Sequence, residues 1–243
     1  MTIATSRPSP EEWLQILPAK IENTALGYDV SREDILNLCQ VSVREGFYGV
    51  VVNPPYIRYA AEELSGTTLR VISVVGFPHG AHTANAKVYE ARDAFARGAH
   101  EVDMVVNVAA LIFGYYDVVR AELQDVVTAA EGKPVKAILE CGALTADQKR
   151  AGAEIAAAAG VAMVKTSTGF GPGGATEEDV RLLREVVGRR CGIKASGGIR
   201  SYERALKLVE AGADRIGTSS GVVIVEGLRY AAKSGRLAVP AWA

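Results

Sequence analysis

Three ionisable residues stand inside short runs that otherwise have the composition of buried strands. Asp103 lies in Glu101-Val-Asp-Met-Val-Val-Asn107, Lys165 in Met163-Val-Lys-Thr-Ser-Thr168, and Lys194 in Gly192-Ile-Lys-Ala-Ser-Gly197. A fully buried, unpaired lysine is rare, because taking an ammonium group out of water is costly. An ordinary lysine, with a pKa of about 10.4, is almost wholly protonated at neutral pH and cannot attack a carbonyl. A second ammonium on the neighbouring strand, about 5 Å away, disfavours the charged form, and partial burial acts in the same direction. Lowering the pKa by roughly 3 units takes about 4 kcal/mol of differential interaction. An amine prepared in this way forms Schiff bases, and a nearby carboxylate such as Asp103 can move the accompanying protons. The iminium is itself an electron sink, so the chemistry calls for no metal and no cofactor. His79, His82 and His100 lack metal-ligand spacing and read as solvated loop residues. Two plainer readings compete: a structural ion triad, and one lysine directed outward against a helix.

Residues can meet in this way only if the strands share a sheet. Further strand candidates are Gly49-Val-Val-Val-Asn53, Arg70-Val-Ile-Ser-Val-Val-Gly76, Val135-Lys-Ala-Ile-Leu-Glu140 and Arg215-Ile-Gly-Thr-Ser-Ser220. Each gap between strands leaves room for one helix, and the helices carry start signals. Ser31 with Asp34, Thr145 with Gln148, and Thr176 with Asp179 have the spacing of N-terminal caps. Val119, Leu123, Val126, Val127 and Ala130 form a stripe of helical period that predicts one buried face. Lys20-Ile-Glu-Asn-Thr-Ala25 is the natural eighth strand. The expected fold is α/β: a (β/α)8 TIM barrel with a short N-terminal helix, residues 1–243 forming a single domain. No G-x-G-x-x-G follows the first strand, which disfavours an open doubly wound sheet. In such a barrel the strands' C-terminal ends carry the active site, and Asp103 and Lys165, on alternate strands, can share one layer.

Of the 25 glycines, 14 fall after residue 159. Several cluster in Ser167-Thr-Gly-Phe-Gly-Pro-Gly-Gly174, Ser196-Gly-Gly-Ile-Arg200 and Gly217-Thr-Ser-Ser-Gly221, while Gly188, Gly212 and Gly235 read as helix stops. Loops after the seventh and eighth barrel strands recurrently hold phosphate through backbone N–H groups. Gly197, Gly198, Ser219 and Ser220 fit that role, and ordinary turns are the alternative.

The composition excludes other classes. With 27 basic against 28 acidic residues the net charge is −1, which offers no surface for neutralising a nucleic-acid backbone. No apolar run approaches the roughly 18 residues of a membrane span, and Met1 to Glu12 contains no signal-peptide core. Cys39, Cys141 and Cys191 are an odd set without paired spacing and read as reduced packing thiols. A cytoplasmic protein is expected.

The ordered set of these motifs, with Val75-Gly-Phe-Pro78 and Val52-Asn-Pro54, resembles the deoxyribose-phosphate aldolases from about Ile21 to Gly227. These are class I aldolases on a (β/α)8 barrel. The resemblance implies reversible cleavage of 2-deoxy-D-ribose 5-phosphate to D-glyceraldehyde 3-phosphate and acetaldehyde. Its partners would be small phosphosugar and aldehyde substrates, and the chain would form a homo-oligomer, a dimer being common in the family. By the same resemblance Lys165 forms the Schiff base, Lys194 lowers its pKa and Asp103 transfers protons. Gly169, Gly197, Gly198, Gly217, Ser219 and Ser220 hold the phosphate, Thr168 lies near the substrate hydroxyls, and Glu22 and Thr24 support the network. The chain departs from the pattern at four places. Glu22-Asn23-Thr24 stands for the more usual Asp-His-Thr, Glu140-Cys141 for Glu-Thr, Val51 for a cysteine, and Phe170 for a lysine found in some members. Two rival functions are a transaldolase-like or ketose-cleaving Schiff-base aldolase and a catalytically silent phosphosugar-binding protein.

Overall fold

The computed structural model of the chain describes residues 8–234. Gly235, Trp242 and the tail from Val239 to Ala243 lie outside the described residues. Eight strands, β1 (Ile21–Ala25), β2 (Gly49–Val52), β3 (Arg70–Val75), β4 (Glu101–Val105), β5 (Val135–Ile138), β6 (Met163–Lys165), β7 (Gly192–Ser196) and β8 (Arg215–Thr218), pair in parallel in sequence order. β8 closes on β1, with Glu22 opposite Gly217, so the expected (β/α)8 barrel is formed. A short helix, α1 (Pro10–Ile16), precedes the barrel and packs against the last one. The helices that follow the strands are α2 (Arg32–Glu45), α3 (Ile57–Glu63), α4 (Ala84–Ala96), α5 (Val108–Ile112), α6 (Tyr116–Ala129), α7 (Ala146–Ala158), α8 (Glu177–Val187), α9 (Tyr202–Glu210) and α10 (Gly221–Ser234).

The caps read from sequence set the helix starts. Ser31 and Asp34, and Thr145 and Gln148, form reciprocal capping boxes. Thr176 accepts from the Asp179 N–H, whereas the Asp179 carboxylate turns to Lys149 Nζ at 2.6 Å. On α6, Val119, Leu123 and Val126 are buried, Ala130 caps its end and Val127 is half-buried, as the stripe predicts. The strands are shorter than their apolar runs. Asn107, for example, lies beyond β4, where its side chain accepts from Ala110 N–H and starts α5.

Side chains alternate across the sheet with period 2. The outward set, including Val50, Val71, Val102, Met104, Val135, Val164, Ile193 and Ile216, joins the helices in one continuous apolar layer. Burying each of these large side chains contributes about 1.5–3 kcal/mol. The inward set is divided. On β2 and β3 it is apolar, Val51, Ile72 and Val74 clustering with Leu26. On β1 and β4 to β7 the buried interior contains Glu22, Glu101, Asp103, Lys136, Lys165 and Lys194.

Candidate active site

The parallel register places Lys165 directly opposite Lys194 on the neighbouring strand, and Asp103 opposite Lys136. All four point inward. Lys165 Nζ donates to Asp103 Oδ2 at 2.8 Å, and Lys194 Nζ donates to the same oxygen at 2.6 Å. Neither lysine is directed outward against a helix: Lys165 is 3 % exposed and Lys194 is fully buried. Lys194 also bonds the Glu22 carboxylate, so the longer acid in Glu22-Asn23-Thr24 reaches the network. Asn23 points the other way and donates to Ser42 Oγ at 3.2 Å, while Thr24 Oγ1 donates to the Glu22 carbonyl at 3.1 Å.

The network is larger than the triad expected from sequence. Lys136 Nζ lies 3.0 Å from Asp103 Oδ1, 2.6 Å from Glu101 Oε2 and 3.4 Å from Glu22 Oε2. Glu101 in turn accepts from the Tyr48 hydroxyl, and the Arg215 guanidinium stacks 3.5 Å over the Tyr48 ring. Arg215 Nε is 4.0 Å from Glu22 Oε1. Lys136 and Glu101 were missed because each is at or next to its strand's first residue, where a charge reads as solvated. Strand parity was the available signal: Lys136 has the same parity as the inward Ile138, and Glu101 as Asp103.

These surroundings divide the cations. Burial most strongly disfavours the charge on Lys165, Lys194 adds repulsion, and Asp103 only partly offsets both, leaving its pKa lowered to about 8. Desolvation therefore contributes more than the neighbouring ammonium that sequence reasoning stressed. Burial also works against the Lys136 charge, but Asp103, Glu22 and Glu101 outweigh it and hold that amine above the ordinary lysine range. Asp103 is opposed by burial and favoured by three ammonium groups, which keep it well below the usual carboxylate range. Among the described residues, Lys136 meets three carboxylates and Lys194 two, whereas Lys165 meets Asp103 alone.

Above Lys165 opens a cavity of about 250 Å3 lined by Thr24, Thr168, Gly169, Gly197, Gly198, Gly217 and Ser219. Phe170, Ser196 and Arg200, from the same glycine-dense loops, also line it. Ser220 borders an adjacent groove instead, and its N–H is taken by Thr218 Oγ1 at 2.9 Å. The loops approach so closely that several glycines are required. A Cβ on Gly217 would lie 2.2 Å from Ser196 Oγ, and one on Gly174 would lie 2.5 Å from the Gly197 carbonyl oxygen. Gly169, Gly197 and Gly198 have φ of 88°, 96° and 72°, values that side chains disfavour.

The arrangement pairs a buried amine of lowered pKa with a shared carboxylate, beneath a pocket rimmed by backbone amides. Residues 20–227 match the family described as DeoC/LacD family aldolase. The chain belongs to that family. It is 52 % identical over 215 residues to a deoxyribose-phosphate aldolase of Thermococcus gammatolerans, covering 87 % of this chain and 96 % of the relative. Over 212 residues it is 49 % identical to the Dictyoglomus turgidum deoxyribose-phosphate aldolase, covering 87 % and 97 %. Among solved structures, the tetrameric deoxyribose phosphate aldolase of Aeropyrum pernix superposes with a TM-score of 0.83 at 33 % identity, covering 91 % of this chain and 92 % of that one. The similarity to these DeoC/LacD aldolases spans every strand that carries the charged network. No helix among the described residues is long and apolar enough to cross a membrane.

Proposed function

We propose that the protein is a class I aldolase, a lyase that reversibly cleaves 2-deoxy-D-ribose 5-phosphate to D-glyceraldehyde 3-phosphate and acetaldehyde. The observation that carries this reading is the geometry of Lys165, whose Nζ sits 2.8 Å from Asp103 in the floor of the glycine-rimmed cavity. At pH 7 a pKa of about 8 leaves roughly a tenth of the molecules with a free amine, against roughly one in three thousand for an ordinary lysine.

Lys165 Nζ attacks the C1 aldehyde of the open-chain sugar, and the carbinolamine loses water to give the iminium. Removal of the C3 hydroxyl proton breaks the C2–C3 bond, releases D-glyceraldehyde 3-phosphate and leaves its electron pair as the C2 enamine. Protonation at C2 and hydrolysis of the new iminium return acetaldehyde and free Lys165. Asp103, linked to both Lys165 and Lys194, moves these protons directly or through a bound water. Lys194 remains beside them, held by Asp103 and Glu22. Backbone N–H groups of Gly169, Gly197, Gly198, Gly217 and Ser219 receive the phosphate. Their partial positive charge suits an anion without any basic surface patch.

We read residues 1–243 as one barrel domain acting in the cytoplasm as a homo-oligomer, with a dimer as the expected form. The silent-binder alternative is disfavoured by the contact that Glu22 makes with Lys194. Borohydride reduction in the presence of deoxyribose 5-phosphate, followed by peptide mass mapping, tests the proposal. An adduct on Lys165 is expected. An adduct on Lys194 would reverse the roles, and binding without any adduct would support the silent reading.

A further inference from the structure

Glu140, at the end of the fifth strand's run, is the least accommodated backbone near the cavity. It is not glycine, yet its φ and ψ are 60° and 59°, in the left-handed region that bulky residues rarely occupy. Its carboxylate is buried and reaches across to the neighbouring loop. There it accepts from Thr168 N–H at 3.3 Å and from the Thr168 hydroxyl. Thr168 Oγ1 then accepts from Phe170 N–H at 3.0 Å and from Gly171 N–H at 3.2 Å. A hydroxyl has one proton and two lone pairs, so the capacity of Thr168 is filled.

This accounting leaves one N–H over. Of the four loop amides from Thr168 to Gly171, three end on Glu140 or Thr168, and the fourth, Gly169 N–H, has no acceptor among the described residues. Close packing fixes the loop from behind. A Cβ on Gly171 would lie 2.7 Å from the Glu140 carboxylate, and one on Gly142 would lie 1.8 Å from the Pro172 carbonyl oxygen.

We propose that Glu140 is a positioning residue: through Thr168 it ties back the loop after β6 so that, of the amides from Thr168 to Gly171, Gly169 N–H alone is presented to the substrate phosphate. Glu140 acts on binding of the anion and leaves the amine chemistry at Lys165 unaffected. The inference rests on the phosphate assignment made above for this loop.

The test compares Glu140→Gly, which relieves the backbone but removes the carboxylate, with Glu140→Gln, which keeps an acceptor oxygen. Binding of inorganic phosphate is measured by calorimetry, alongside kinetics on deoxyribose 5-phosphate and unphosphorylated 2-deoxyribose. Glu140→Gly is expected to weaken phosphate binding and raise KM for deoxyribose 5-phosphate at least tenfold. Its kcat/KM on 2-deoxyribose should stay within threefold of the parent, and Glu140→Gln should restore most of the phosphate affinity. Thr168→Val, which cuts the same tie from the other side, should weaken phosphate binding as the glycine variant does and serves on that readout alone if that variant does not fold. Unchanged phosphate affinity in both, or equal losses on the two sugars, would overturn the inference. A parent that binds phosphate but does not cleave deoxyribose 5-phosphate would overturn the proposed reaction, while the comparison of phosphate affinities still decides the role of Glu140.

Discussion

Lys165 and Lys194 stand opposite each other on adjacent strands, and their ammonium nitrogens share a single oxygen, Asp103 Oδ2. Their difference lies in the remaining partners. Lys194 has a second carboxylate, Glu22, whereas among the described residues Lys165 has only the shared one, and it faces the cavity. The register creates the pair, and the unequal distribution of carboxylates leaves Lys165 with the lowered pKa and the open face toward the cavity, as the proposed nucleophile requires.

The rate at which borohydride traps a substrate on Lys165 should follow its free-base fraction. With a pKa of about 8, that fraction rises roughly fifty-fold between pH 6 and pH 8 and levels off above about pH 9. Single-turnover trapping across this range checks it. A rate that keeps climbing tenfold per pH unit to pH 10 would mean an ordinary lysine.

The same lowered pKa predicts a stability cost. Below about pH 8 Lys165 is protonated both folded and unfolded, and the penalty of burying its charge is fully present. Between about 8 and the ordinary 10.5 the unfolded chain binds the extra proton, so stability rises with pH, by about 3 kcal/mol in all. Lys165→Met should therefore be more stable than the parent by about 1–3 kcal/mol at pH 7, a gain of several degrees in Tm. The difference should shrink above pH 10, which denaturant titrations at the two pH values would show.

Lys136 should influence Lys165 without touching substrate. Removing its charge leaves Asp103 and Glu101 undercompensated, costing about 3–5 kcal/mol of stability. It also removes repulsion from the interior, so the Lys165 proton is held more tightly. In Lys136→Met the midpoint of the trapping profile should move up by about one unit, with loss of rate at pH 7 and recovery near pH 9. An unmoved midpoint would assign Lys136 to packing alone.

Much of this was legible in the sequence because barrel strands repeat one rule. Outward positions are apolar, so an inward Asp103, Lys165 or Lys194 stands out in the middle of its run. Glu101 and Lys136 obey the same parity, but at a strand's beginning there is too little alternation to separate inward from solvated. The Glu140 tie was hidden for another reason: it depends on a left-handed backbone and on the approach of a loop 28 residues away. Ser220 was read with Ser219 as one motif, yet at the turn into α10 Ser219 lines both the cavity and the adjacent groove while Ser220 lines the groove alone.

All three cysteines should resist electrophiles. Burial pushes the Cys39 thiol up to about 11 and raises Cys141 and Cys191 as well, which suppresses the reactive thiolate. Val51, where the family resemblance leads one to expect a cysteine, is fully buried in the apolar half of the barrel interior. Activity should survive prolonged acetaldehyde exposure, and iodoacetamide should label none of the cysteines natively and all three in denaturant. Rapid loss of activity with a modified native cysteine would contradict this.

Gly217 should prove indispensable for a steric reason. A methyl group there would meet Ser196 Oγ at 2.2 Å and Lys194 Cε at 2.8 Å. Lys194 is fully buried between Asp103 and Glu22 and cannot withdraw without breaking one of those bonds. Gly217→Ala should lower kcat/KM for deoxyribose 5-phosphate at least tenfold while costing about 1–3 kcal/mol of stability. Gly46→Ala is the control. It places its methyl group in open space at the end of α2, where the φ of 68° costs about 1 kcal/mol, and it should leave activity unchanged. Equal activity of the two variants, measured with matched circular dichroism spectra, would show that Lys194 tolerates displacement.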